Sequence, residues 1–162
     1  MLEWMHDRDA VEHLQGRFLE KKLEDCLQFI ENSRKDSDQL HLAVVDETDT
    51  YMGTVSLKHI DRQRSDAEFA IAIRRCAMGK GFSRFGMERI LALGLTELGL
   101  QNIFWCVSPE NSRAVRFYDK GNYPRVDAQT VDACRYYTEQ QAQQLAWYCV
   151  SRRDIEHEDS DR

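Results

Sequence analysis

Arg74-Arg75-Cys76-Ala77-Met78-Gly79-Lys80-Gly81-Phe82-Ser83-Arg84 is the stretch on which the fold turns. It carries four of the chain's 22 basic residues and none of its 28 acidic ones, a local positive charge in a chain of net charge −6. A basic, glycine-bearing turn between an extended segment and a helical one has the form of an anion site. Glycine lets the backbone approach a ligand closely, and the free N–H groups and dipole at a helix start favour phosphate. The plain alternative is a solvated basic turn. Two common phosphate signatures do not fit the letters: a dinucleotide fingerprint needs glycine where Arg84 stands, and a P-loop needs serine or threonine where Gly81 stands.

Immediately upstream, Ala67-Glu68-Phe69-Ala70-Ile71-Ala72-Ile73 alternates as a strand does, with Phe69, Ile71 and Ile73 on one face and Glu68, Ala70 and Ala72 on the other. The second face is small enough for something to lie against it. Downstream, Phe82, Phe85, Ile90, Leu91, Leu95 and Leu98 form a helical stripe that should end near Gly99. Asn102 to Val107 then reads as a central strand buried on both faces, and Asn111 to Lys120 as a helix stopped at Gly121.

Further out, residues 3 to 14 and 21 to 32 show helix-like spacing, the first through Trp4, Val11 and Leu14 and the second through Leu23, Leu27 and Ile30. His41 to Val45 and Tyr51 to Leu57 flank a polar turn and read as a hairpin, followed by a charged loop over 58 to 66. Leu145 to Val150 is a final strand, and 151 to 162 a charged, frayed tail. Helices and strands interleave as in a mixed α/β fold, within one domain over residues 1 to 150.

Composition narrows the function. At 162 residues with 42% hydrophobic content, the chain can bury a core. The best candidate for a membrane span, Ile90 to Leu95, is six residues, far below the ~18 required, and the acidic start does not read as a signal peptide. Five cysteines without a C-x-x-C pair read as reduced thiols, which places the expected location in the cytoplasm. The acidic balance disfavours nucleic acid, and the scattered histidines offer no metal-ligand spacing. A small-molecule partner is expected.

Two segments together resemble the GCN5-related N-acetyltransferase (GNAT) family. The turn at 76 to 81 is similar to the family's Gln/Arg-x-x-Gly-x-Gly/Ala loop, and Asn111-Ser112-Arg113-Ala114-Val115-Arg116-Phe117-Tyr118-Asp119-Lys120-Gly121-Asn122-Tyr123 is similar to its Asn-x-x-Ala-x-x-x-Tyr-x-x-x-Gly-Phe segment. Tyr123 replaces the phenylalanine, with the spacing to the glycine altered by one residue. The likeness spans about residues 40 to 126. It implies a twisted, mostly antiparallel sheet with helices on both faces and acetyl-CoA as co-substrate, without a metal. It also implies roles. The backbone of Ile71, Ala72 and Ile73 would pair with the pantetheine arm, and N–H groups of Ala77, Met78, Gly79, Lys80, Gly81 and Phe82 would hold the diphosphate. Asn111 would meet the pantetheine amides, and Tyr118 would stand beside the thioester sulfur.

Transfer of an acetyl group to an amine needs an acceptor for the ammonium proton. Glu68 is the first candidate and His59 the second. Tyr118 would donate to the departing thiolate, and a strand N–H near Ile71 would polarise the carbonyl. The expected acceptor is a primary amine of a polyamine, an aminosugar nucleotide or a protein N-terminus, with a non-catalytic acyl-CoA-binding module as the alternative. Two departures stand out. Cys76 holds the loop's Gln/Arg position, so a side-chain phosphate contact would have to come from Arg74 or Arg75. The family's first edge strand also has no counterpart ahead of the first helix, and the sheet edge this would leave makes a homodimer plausible.

Overall fold

The computed structural model describes residues 1–12 and 17–154. Where one helix is expected over 3 to 14, there are two short ones, α1 (Leu2–Met5) and α2 (Arg8–Val11). The break falls at Asp7, whose carboxylate accepts a hydrogen bond from the Asp9 N–H and so caps a new helix instead of continuing the old one. Leu14, assigned to this stripe, lies outside the described residues, as do 155–162 of the expected tail. Helix α3 (Leu23–Ser33) forms as expected but is rotated from its anticipated seating. It buries Cys26 against Met5 and leaves Leu23, Leu27 and Ile30 exposed.

Strands β1 (Leu40–Val45) and β2 (Tyr51–Asp61) form the hairpin, and β3 (Asp66–Ile73) follows. The charged loop expected over 58 to 66 is a correction: the strand continues to Asp61 and the chain reverses within 62–65. The Asp61 carboxylate accepts from the N–H groups of Gln63 and Arg64, which closes a tight turn, and ion pairs absorb the flanking charges.

Past the basic turn come α4 (Phe82–Ala92), extended by a wider π-helical turn over Leu93–Glu97, then β4 (Asn102–Val107) and α5 (Ser112–Lys120). The remainder is β5 (Arg125–Val126), a 3-10 turn at Ala133–Arg135, α6 (Glu139–Gln144) and β6 (Ala146–Ser151). Among the described residues six strands form one sheet in the order β1-β2-β3-β4-β6-β5, in which β3 and β4 are parallel and the other neighbours antiparallel. Among the described residues no strand precedes α1.

Helix α4 covers one face. Met87, Ile90 and Leu95 pack on Leu57, Phe69 and Ile103 in the main core. It lies close because Gly86 has no side chain: a Cβ there would come within 2.8 Å of Val44 and 3.0 Å of Val55. Phe85, read as part of the stripe, instead points to solvent. On the opposite face, α1 to α3 cover Ala72 and Tyr51, and the segment preceding β6 covers Phe104 and Trp147. Both faces are therefore clothed, as the expected helices on both faces of the sheet require.

Candidate active site

Strands β3 and β4 pair through Asp66, Ala67 and Glu68 alone. From Phe69 to Ile73, β3 stays bonded to β2 while its β4-facing edge has no strand partner, because the two strands diverge. Two cavities follow this gap. One, of about 1000 Å³, lies among Ile71, Ala72, Ile73, Met78, Gly79 and the start of α5. The other, of about 680 Å³, is walled by Trp4, Phe18, Phe29, Glu68, Trp105 and Tyr137. Both are lined by Ala72, Asn111, Ala114 and Tyr118, so they meet beside Tyr118.

The glycine turn does what its letters require. Gly79 and Gly81 hold φ of +75° and +89°, a left-handed backbone that side chains strain, and the space beside each is open. The N–H groups of Ala77, Met78 and Lys80 are taken by carbonyls within the turn. Those of Gly79, Gly81 and Phe82 make no hydrogen bond among the described residues. The open donors are thus half of the six that sequence reading assigned, concentrated at the start of α4. These donors, the open space and the unpaired edge of β3 fit a diphosphate on an extended arm. Arg74 and Arg75 do not fill the place of the missing Gln/Arg. Arg74 binds Glu3 at 2.6 Å and the Tyr51 carbonyl at 2.9 Å, and Arg75 pairs with Asp7 and Asp9.

Asn111 caps α5: its side-chain oxygen accepts from the Ala114 N–H at 3.1 Å, and it lines both cavities. Two helical turns on, Tyr118 is 6% exposed, wedged among Trp105, Tyr123 and Tyr148. Burial, reinforced by nearby Cys106 and tyrosines, holds its phenol well above the ordinary tyrosine value. It therefore stays protonated and can only donate to an anion.

Glu68 is 3% exposed on the wall of the second cavity. Its Oε1 accepts from the Tyr137 hydroxyl at 2.5 Å and from Lys58 Nζ at 3.3 Å. Its Oε2 is closed to solvent and takes no hydrogen bond among the described residues, with His59 Nε2 at 3.6 Å. Burial, with Cys106 and Glu68 adding to it, raises the Tyr137 phenol, and burial likewise lifts the Cys106 thiol to about 11.

Sequence reading missed the second cavity's far wall. Tyr137 lies in a segment without periodicity, Lys58 falls in the expected charged loop, Trp4 fits the helix-like spacing of 3 to 14, and Phe18 and Phe29 belong to no motif. One signal was available: Tyr136-Tyr137 beside Arg135 is a conspicuously aromatic and charged cluster in an otherwise polar stretch.

A diverging sheet whose open edge, phosphate-ready turn and buried tyrosine meet an amine-sized cavity defines an acyl-CoA-dependent acyltransferase. Sequence comparison supplies the family: a model of the acetyltransferase (GNAT) domain matches residues 1–122. The chain belongs to the GNAT family of acetyl-CoA-dependent N-acetyltransferases. Among curated relatives, the spermidine N(1)-acetyltransferase of Vibrio cholerae serotype O1 is 30% identical over 122 residues, 74% of this chain and 70% of that protein. An uncharacterized N-acetyltransferase, p20 of Bacillus licheniformis, is 29% identical over 82 residues, 51% of this chain but 46% of its own length. Among solved structures, the Vibrio cholerae spermidine N-acetyltransferase in complex with CoA and spermine superposes with a TM-score of 0.75 at 21% identity, covering 93% of this chain and 87% of that one. At that identity the superposition speaks for the fold alone.

Proposed function

We propose that this protein transfers the acetyl group of acetyl-CoA to a primary amine of the polyamine class. The observation that carries the proposal is the meeting of the two cavities at Tyr118, one fitted to an extended phosphorylated arm and the other bounded by a buried carboxylate. The second cavity favours an alkyl cation. Glu12, Asp25, Glu68 and Glu110 line it against Lys21 and Lys58, and aromatic rings cover much of the remainder. The spermidine acetyltransferase among the relatives supports the same choice.

When bound, acetyl-CoA supplies a thioester whose carbonyl carbon accepts the amine. The chain's own groups do the rest. Ile71, Ala72 and Ile73 offer the backbone edge on which the arm lies as an added strand, and an N–H near Ile71 faces the carbonyl oxygen as charge develops there. Gly79, Gly81 and Phe82 donate to the diphosphate, with Ala77, Met78 and Lys80 shaping the turn, and the Asn111 side chain meets the arm's amides. Glu68 takes the ammonium proton. Tyr118 donates to the departing sulfur; because its phenol is raised above a thiol's ordinary value, its contribution is a strong hydrogen bond that precedes any full transfer.

Thiol release measured over spermidine, spermine, an aminosugar nucleotide and an alanine-ended peptide tests the reading. Polyamines should react fastest. A preference for the nucleotide or the peptide would move the acceptor class. CoA binding without turnover on any amine would favour the non-catalytic acyl-CoA-binding module. The five unpaired cysteines fit work in the reducing cytoplasm. The unpartnered edge of β1 leaves room for a homodimer, which light scattering would read.

A further inference from the structure

Consecutive side chains on a regular strand point to opposite faces. Between Leu57 and Ile60, β2 breaks this rule. Leu57 and Ile60 both enter the main core, while the two residues between them, Lys58 and His59, both reach the Glu68 carboxylate from the other side. The chain achieves this with a register shift after Lys58 and with His59 at φ +52°, a backbone conformation that costs free energy in any residue but glycine. A strained residue re-aimed by a bulge onto a buried carboxylate asks what the aiming is for.

The surroundings answer it. On Glu68, Oε1 is held by Tyr137 and Lys58, while Oε2 has His59 at 3.6 Å and no hydrogen bond among the described residues. The His59 ring stacks flat on Tyr136, with centroids 4.0 Å apart, and its side chain is 42% exposed, so it touches the buried carboxyl on one side and water on the other. Arg135 fixes this wall by binding Asp66 at 2.7 Å while lying over the Tyr136 ring. We infer that His59 is the proton exit of the active site, a positioning residue that takes the proton from Glu68 and releases it to solvent. The inference rests on the reading of Glu68 as proton acceptor.

The steps balance. An ammonium acceptor gives one proton to the Glu68 carboxylate, and its freed amine forms the N–C bond as the C–S bond breaks. The extra proton of the new amide passes to the leaving sulfur, which departs as thiol while the Tyr118 hydroxyl donates a hydrogen bond to it. The acid formed on Glu68 makes a half-turn about Cγ–Cδ, a soft two-fold torsion, and presents its hydrogen to His59 Nε2. His59 passes it to water, so each turnover exports one proton net. In the Nδ1–H tautomer, Nε2 is an acceptor. Burial lowers the His59 pKa, the positive charges of Lys58 and Arg135 add to that, and Glu68 partly opposes it, so the ring is neutral and ready near pH 7. Glu68 itself is faced by Lys58 and His59 from β2, by Cys106 from β4 and by Tyr137 from the segment before α6.

Two variants test the inference, each with a residue at home at positive φ so that the bulge survives. With the fastest acceptor of the amine panel, His59→Asn should lower kcat about tenfold, leave both KM values unchanged and shift the acid limb of the kcat profile. His59→Gly, which empties the slot on Tyr136, should regain rate with added imidazole in proportion to its neutral form. A wild-type kcat and pH profile in His59→Asn, or no imidazole response in His59→Gly, would overturn the relay while an inactive Glu68→Gln left the acetyltransferase reading standing. Should the wild-type chain fail on every amine, that reading falls and takes the relay with it.

Discussion

The two halves of the cleft are built by different means. On the coenzyme side, recognition comes from backbone: a strand edge, a glycine turn and a helix start, all contributed by a short span from Ile71 to Phe82 with Asn111 and Tyr118 not far behind. On the amine side it comes from side chains gathered across the chain: Trp4 and Phe29 from the N-terminal helices, Lys58 and Glu68 from the central hairpin, and Tyr137 from the segment before the last strand. Backbone recognition leaves a local signature, because left-handed φ demands glycine and an N-cap demands a short polar residue. Side-chain assembly leaves none, because no spacing rule ties residue 4 to residue 137.

The contrast can be broken by substitution. Replacing Glu68 with Gln should reduce kcat by roughly 100-fold or more and leave coenzyme affinity intact, read by steady-state kinetics beside calorimetric titration of CoA. A matching loss of CoA binding would mean the halves are not separable. Tyr118→Phe, at the junction, should lower kcat roughly tenfold with little change in CoA affinity. An unchanged rate would remove Tyr118 from the chemistry. Gly81→Val meets open space, so any effect comes from the backbone; a strain of about 1–2 kcal/mol should weaken CoA roughly tenfold without altering the amine KM.

The smallest effect is a pH dependence of stability on the amine side. Burial holds His41 and His59 below 6.5 in the folded chain. The unfolded chain then binds more protons as pH falls through about 6.5, so this contribution is complete above that value and lost toward the lower folded pKa values. Thermal melts between about pH 8 and 5.5 should show the midpoint decline, and His59→Asn should shrink the decline. A midpoint that does not move would mean neither ring is held neutral.

The same division explains what could be read from the letters. Alternation through Phe69, Ile71 and Ile73 placed β3 correctly and put Glu68 on the open face, since a half-covered strand must alternate. The stripe through Ile90, Leu91 and Leu95 located α4. Lys58 and His59 were unreadable as a pair because their shared direction comes from a bulge, which hydropathy does not encode. Arg75 was offered to a phosphate, but acids 66 and 68 positions earlier in the chain claim it, a tertiary fact with no local trace. The outward turn of Leu23, Leu27 and Ile30 shows the limit of periodicity: it says that a helix has an apolar side, not which way that side faces.

The joint between β3 and β4 has a consequence for the molecule as a material. Three residue pairs tie two stiff blades, one of three strands and one of three, so the sheet is strong along each blade and weak across the seam. Whatever slides into that seam as an extra strand works like a wedge glued on both sides, and it should damp the scissoring of the blades. Amide hydrogens flanking the seam, from Phe69 to Ile73 and from Trp105 to Val107, are then the ones whose exchange slows most when the coenzyme is present.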